Sequence, residues 1–576
     1  MRPRIRSLVL AMAMLVVVAV PVTGWAEHTN RVNTDNMIPR GHSPQTGSFF
    51  DPRGTVTINS DIGFWENTAV NGNYNGFRLI DISDPDNPDL ITWYDECNGD
   101  QGDILIWENL VIRSWNSAVT PPVPPQVDQF CGQEAGAPRP VPMGFEGLHI
   151  FDISDPENID LVGEVEITDT TAEADNVPGT FNPSLVPARR TGCGSHTASL
   201  VPDEANGRLL VYNSGSSANC PGIDIVEIPL DDPGSAEWLR REQSGRSCHD
   251  TGVFLGDVMR AVCAGGDGLT VWRMNQKASD EHPVNLVNPQ TEYTIPLKDI
   301  TVGHSASFTW DGKRFVFGHE PGGGGRAECQ ESSLDRNKKL FMFNTKTGKQ
   351  IGTWFLPRPQ SEVENCTQHN YNFVPTTDGK DILVAGNYQA GTWAVNWSDP
   401  AKPKVVGFSD PPPLDETQFT LGGAWSSYWY NGFIYESEIT KGLNVFELDD
   451  PVVDNAVDLP FLNPQTQMER IAQELRVGSA VNLKHTNKPH RFTGKVNSDE
   501  RGCKADRTVH IKKVRPGQSV RTVATTTTGN RGGFSVKHTN GGRGRYFAQA
   551  GRKVFTKDID TITCTKAKSG QVNARK

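Results

Sequence analysis

Apolar residues fall in short runs along most of this chain, many opened by a glycine and closed by a polar turn. The clearest are Gly76-Phe-Arg-Leu-Ile-Asp-Ile-Ser-Asp-Pro85 and Gly147-Leu-His-Ile-Phe-Asp-Ile-Ser-Asp-Pro156. Looser copies start at Gly222, Gly268, Gly391 and Gly442, with Lys339–Asn344 as a degenerate seventh. β-Branched and aromatic residues fill each run, and Asp-Pro ends it because proline presets a turn and cannot donate to a ladder. Each copy therefore predicts one strand and its exit turn. Further short strands are expected between copies, at Leu209–Tyr212, Phe315–Phe317 and Ile382–Ala385. The pattern then changes: Met468, Ile471, Ala472 and Leu475 share a face at helical spacing, which predicts one helix over Gln465–Val477. From Phe492 strands return, at Val509–Val514, Phe534–Val536, Arg545–Phe547 and Ile559–Cys564, between Gly- and Asn-rich turns.

The first residues follow another logic. Arg2, Arg4 and Arg6 precede an apolar run from Leu8 to Val20 and a small-residue site ending at Ala26, the pattern of a secretory signal peptide over 1–26. The run is shorter than the roughly 20 residues of a membrane-crossing helix, and no later window is as apolar, so no transmembrane segment is expected. Ten cysteines in an exported chain predict disulfides and a secreted, extracellular location. With 56 Gly, 39 Pro and a single helical stretch, the class is all-β. A strand phrase repeating at this period, with other strands between copies, is the mark of four-stranded propeller blades. The expected organisation is a β-propeller of about seven blades over 27–460, a short helical linker over 461–483 and a small basic β-sandwich over 484–576.

The repeated phrase resembles the LVIVD repeat, a family of exported bacterial and archaeal proteins read as β-propellers of largely unassigned function. The resemblance spans most of residues 60–450, and strings such as Ser247-Cys-His-Asp-Thr-Gly252 and Glu364-Asn-Cys-Thr-Gln-His-Asn370 share it. It implies a fold and little chemistry. The tail is similar to transthyretin-like or carboxypeptidase-regulatory sandwiches, which a Cys503–Cys564 bridge would staple.

If the phrase is the third strand of each blade, the strand two before it lines the central channel. Four such strands begin at histidine: His196, His249, His304 and His369. All four are then expected at one mouth of the channel, where neutral imidazoles could hold a divalent transition metal, with Asp250, His319 and Glu320 as supporting residues. The competing reading is structural, because a Gly-His pair such as Gly303-His304 also braces the turn in WD-repeat propellers. His149 and His282 fall outside the pattern. The same geometry pairs Cys97 with Cys131, Cys193 with Cys220, Cys248 with Cys263, and Cys329 with Cys366 on one loop face. Cys220 with Cys248 is an alternative, and Cys193, Cys248 and Cys366 would otherwise be thiolate ligands beside the histidines.

Charge divides the chain. From Lys484 onward there are 22 Lys/Arg against 5 Asp/Glu, which out of totals of 56 and 68 leaves 34 against 63 before it. An acidic body thus carries a basic tail, suited to an anionic cell-wall polymer. Nucleic acid is not expected, because few aromatics interleave the basic residues and no recognition motif is present. Pro321–Arg326 lacks the Lys-Ser/Thr of a phosphate loop, and no hydrolase elbow or zinc-protease helix motif occurs. Two functions follow: an extracellular binding or scaffold protein contacting a protein or glycan through the propeller loops, or a metal-dependent oxidase or hydrolase at the histidine-lined mouth.

Overall fold

The computed structural model describes residues 30–45, 58–95, 102–115, 130–131, 141–142, 147–167, 195–215, 221–266, 268–467, 471–487, 489–515, 519–539, 542–557 and 560–574. Five antiparallel meanders occupy the first part of the body. Their innermost strands are Asn59–Trp65, Ile104–Trp107, Thr197–Asp203, Asp250–Phe254 and Gly303–Phe308. A nine-stranded sheet follows, in which two further meanders, starting at Asn370–Phe373 and Ala424–Tyr430, join through a short parallel pairing of those inner strands. The inner strands pack side by side in chain order, and the last returns to the first. Met37–Pro44, from the start of the chain, supplies the outermost strand of the last meander by pairing with Gly442–Leu448.

The repeated phrase is the third strand of its meander each time, and three local features explain its sequence. Its opening glycine presses on the fourth strand: a Cβ at Gly147 or Gly268 would sit 2.0 or 2.1 Å from the carbonyl of Val165 or Ile295, at φ of +145° and +152°. A bulge then falls at the fourth and fifth positions of six copies, at Leu79/Ile80, Ile150/Phe151, Ile225/Val226, Val271/Trp272, Met342/Phe343 and Ala394/Val395. Each bulge adds to the right-handed twist of its sheet. The Asp-Ile-Ser-Asp-Pro ending closes on itself, since Asp81 accepts from the Ser83 N–H and Asp152 from the Ser154 N–H, both at 2.8 Å.

The helix predicted over Gln465–Val477 does not form: Thr466–Gln467 and Glu474–Val477 are strands, and no α-helix occurs among the described residues. Residues 459–467 and 471–474 instead bond in turn to successive meanders around the channel, at the ends of the inner strands opposite the histidines. Leu459 bonds Asn431, and Phe461 and Leu462 pair with Trp65 and Phe64. The Asn463 side chain grips both backbone groups of Ile106, at 2.7 and 2.8 Å. Thr466 donates to the Leu200 carbonyl and pairs in parallel with Val253. Gln467 bonds Phe308 and Ser307, and Gln473 reaches Thr376. A helix would keep its backbone groups for itself; this strap spends them, and its amide side chains, on the inner strands. Among described residues no helix is long and apolar enough to cross a membrane.

Glu474–Val477 runs into the tail by pairing in parallel with Asp560–Cys564. The sheet Ala480–Asn487, His490–Asn497, Gly533–Lys537 and a second sheet around Thr508–Lys513 and Gly544–Ala550 enclose Phe492, Val496, Val509, Ile511, Tyr546 and Ala548.

Candidate functional site

His196, His249 and His369 stand immediately before their inner strands, and His304 is the second residue of its own. Equivalent backbone bonds fix three of them: the N–H of His196 donates to Ser214, of His249 to Ala264 and of His369 to Gly386, each at the end of the neighbouring strand. The four rings follow one another in a row, the first pair edge-on and the next two tilted, with centroids 4.4, 4.3 and 4.3 Å apart. All four are buried. Cys248 and Cys263, with sulfurs 2.04 Å apart, tie the strand bearing His249 to its neighbour.

Two carboxyls complete the row. Asp250 Oδ1 lies 2.7 Å from His249 Nδ1, and its Oδ2 lies 3.8 Å from His304 Nδ1. Glu320 stands between two rings, with Oε2 3.6 Å from His304 Nε2 and Oε1 3.4 Å from His369 Nε2. Tyr388 donates to Glu320 Oε1 at 2.6 Å while its ring lies 4.5 Å from that of His369. One ligand atom from each of His249, His304 and Glu320 falls within 4.8 Å of the other two. His319 does not join them. Strand alternation turns it from its neighbour Glu320, and its Nε2 faces the N–H and hydroxyl of Thr301.

Burial dominates the electrostatics. It holds the His249 and His369 imidazoles down to about 3 and His304 well below its ordinary value, so the rings are neutral at physiological pH, the form that binds metal. It pushes Asp250 and Glu320 up to about 8 and Asp61 up to about 7, and raises Asp103 well above its usual range. None of these four carboxyls pairs with a lysine or arginine among the described residues. Buried acids without basic partners are a place for a cation. Two imidazoles and a carboxylate form the ligand set of catalytic zinc and non-haem iron, which leaves coordination positions open.

The structure brings together His196, His249, His304, His369, Asp250 and Glu320. Asp61, Asp103, Tyr388 and Gln465 also belong to this channel and were not picked out from the sequence. Asp103 could have been found, since it stands immediately before its inner strand as three of the histidines do, whereas Asp61 is the third residue of its own. The thiolate alternative falls for Cys248 and Cys366, because Cys366 is likewise bridged, to Cys329 with sulfurs 2.00 Å apart. Cys503 and Cys564 approach to 2.09 Å. Cys97, Cys193 and Cys220 lie outside the described residues, and with them the Cys97–Cys131 and Cys193–Cys220 pairings. His149 accepts from the Trp115 indole at 3.0 Å within its own sheet.

The LVIVD repeat family matches residues 66–96 and 143–167, the first two copies of the phrase. No curated protein matches the chain. Similar solved structures include the N-terminal domain of Nup159, at 10% identity and a TM-score of 0.39, covering 73% of this chain and 95% of that one. Kluyveromyces lactis Hsv2p is 8% identical with a TM-score of 0.34, covering 76% and 97%. The WD40 domain of SCAP from fission yeast is 8% identical with a TM-score of 0.31, covering 74% and 99%. The repeat match and the ring of meanders define the class, a repeat β-propeller.

Proposed function

We propose that this chain is a metal-binding β-propeller, with a divalent transition-metal ion held at one end of its channel by His249, His304 and Glu320. The observation that carries this reading is the meeting of three buried ligand atoms within 4.8 Å of one another, at the heads of the strands starting at Asp250 and Gly303 and just past the end of Arg314–His319. The His304 Nε2–Glu320 Oε2 separation of 3.6 Å is already close to the about 3.4 Å between ligands of a tetrahedral zinc. Asp250 would orient His249, and the open positions suit polarising a water or carbonyl, the chemistry of a metal-dependent hydrolase or oxidase. Loading purified protein with zinc or cobalt and removing excess ion should leave one equivalent per chain, lost in His249→Ala and His304→Ala. Failure of the wild type to retain any first-row metal overturns the reading.

A propeller fold also suggests a binding or scaffold role, and this extends the proposal. The seven meanders are taken as seven blades, exported after removal of 1–26, with the five expected disulfides, and with loops that contact an extracellular protein or glycan. The tail is taken as a transthyretin-like sandwich. Lys484, Arg491, Lys495 and Lys537 stand on the face of its first sheet opposite Phe492 and Phe534. This charge supports contact with an anionic cell-wall polymer. Binding of the full chain to such material is expected to weaken steeply with salt, because screening shortens to about 8 Å at physiological ionic strength. A salt-insensitive pull-down removes charge as the cause.

A further inference from the structure

We infer that ion binding at the channel mouth and closure of the strap beneath it are coupled through Gln465, Asp250 and His249; this rests on the metal reading above. Gln465 sits on the strap, yet its side chain runs up the channel, and Nε2 donates to Asp250 Oδ2 at 2.6 Å. The other oxygen of Asp250 meets His249 Nδ1 at 2.7 Å. With Asp250 ionised, Nδ1 carries the proton and the Nε2 lone pair of His249 is left for the ion. A carboxylate behind a ligating histidine fixes its tautomer and orientation, and losing such a partner typically weakens metal affinity by about 10–100-fold. Gln465 acts one step further out, as a positioning residue that holds the carboxylate.

The backbone supports this role. Gln465 is buried at φ +60°, a left-handed conformation that glycine adopts freely and a glutamine does not. Such strain persists where the surroundings over-determine it. Here the Gln465 carbonyl accepts from the Val253 N–H and the Gln467 carbonyl from the Leu255 N–H, three and five residues beyond Asp250. One residue thus anchors the strap to the inner strand and braces the carboxylate at its head. Because coupling between two sites is reciprocal, whatever factor Gln465 adds to ion affinity, the ion must return to strap closure.

The test uses the full chain with Co2+ as probe. Gln465→Gly relieves the left-handed strain, so the fold is retained, while it removes the amide; Thr466→Val deletes the neighbouring bond to Leu200 and leaves Asp250 untouched. Titration followed by the cobalt visible spectrum should show about 10–100-fold weaker binding in Gln465→Gly and unchanged binding in Thr466→Val. Hydrogen exchange at the Val253 and Leu255 amides should slow on adding Co2+ to the wild type but not to Gln465→Gly. Equal affinity in Gln465→Gly and wild type, or equal loss in both variants, overturns the coupling and leaves the metal site standing. Absence of Co2+ binding by the wild type overturns both.

Discussion

A chain ending at Asp458 is expected to lose most of the propeller's stability, although every blade strand is still present. The removed segment seals one end of the channel. It contributes about eight hydrogen bonds to inner strands, each worth about 1 kcal/mol net. It also buries Leu459, Leu462 and Ile471, which contribute about 1.5–3 kcal/mol apiece. The total is comparable with the about 5–15 kcal/mol that stabilises a whole domain. A smaller lesion in the full chain separates the strap from loss of the tail. Asn463→Ala strips the partners from both backbone groups of Ile106, leaving a buried N–H and C=O unpaired at about 1–3 kcal/mol each. Denaturant midpoints should therefore fall in the order wild type, Asn463→Ala, truncated chain. A truncated chain that unfolds at the wild-type midpoint would show that the strap is not a clasp.

The strap was also the least legible element in the sequence. Asn463-Pro-Gln-Thr-Gln467 is polar, and the apolar positions that follow fit a helical face. That spacing indicates a helix only when the segment has its own solvent side, and here Ile471 enters the core while the amides before it substitute for backbone partners. The blades were legible because their cause is local. The opening glycine, the bulge at fixed positions and the Asp-closed turn each leave a mark within ten residues. The histidine row was legible for the same reason, since a repeat carries one position to one place. Asp250 and Glu320 were legible beside those histidines; Asp61 and Asp103 were less so, because Asp61 is the third residue of its strand rather than at its head, and the burial of both depends on the closing of the ring.

Metal-free protein is expected to lose on the order of 5 kcal/mol of stability as pH rises from about 6.5 to 8.5. Burial raises Asp61 and Glu438 to about 7 and Asp250 and Glu320 to about 8. An unfolded chain releases these protons near pH 4. Between the two values the folded state holds protons that the unfolded state has given up, so each pH unit costs about 1.4 kcal/mol per group, and the loss is complete above the folded pKa. The histidines act in the opposite direction and in another window. His249 and His369, held down to about 3, cost stability only as pH falls below about 6.5. The two sets oppose each other from about pH 4 to 6.5, and above that range the carboxyls act alone. Urea midpoints should fall across the alkaline window, less so in Glu438→Gln, whose carboxyl is bonded by the Gly423 and Thr440 N–H groups away from the histidine row. Added zinc should restore the midpoint at pH 8.5, since an ion beside Asp250 and Glu320 favours their charged forms. A midpoint that is flat or rises from pH 6.5 to 8.5 without metal would mean that these carboxyls ionise freely, and that the channel is wetter than its packing indicates.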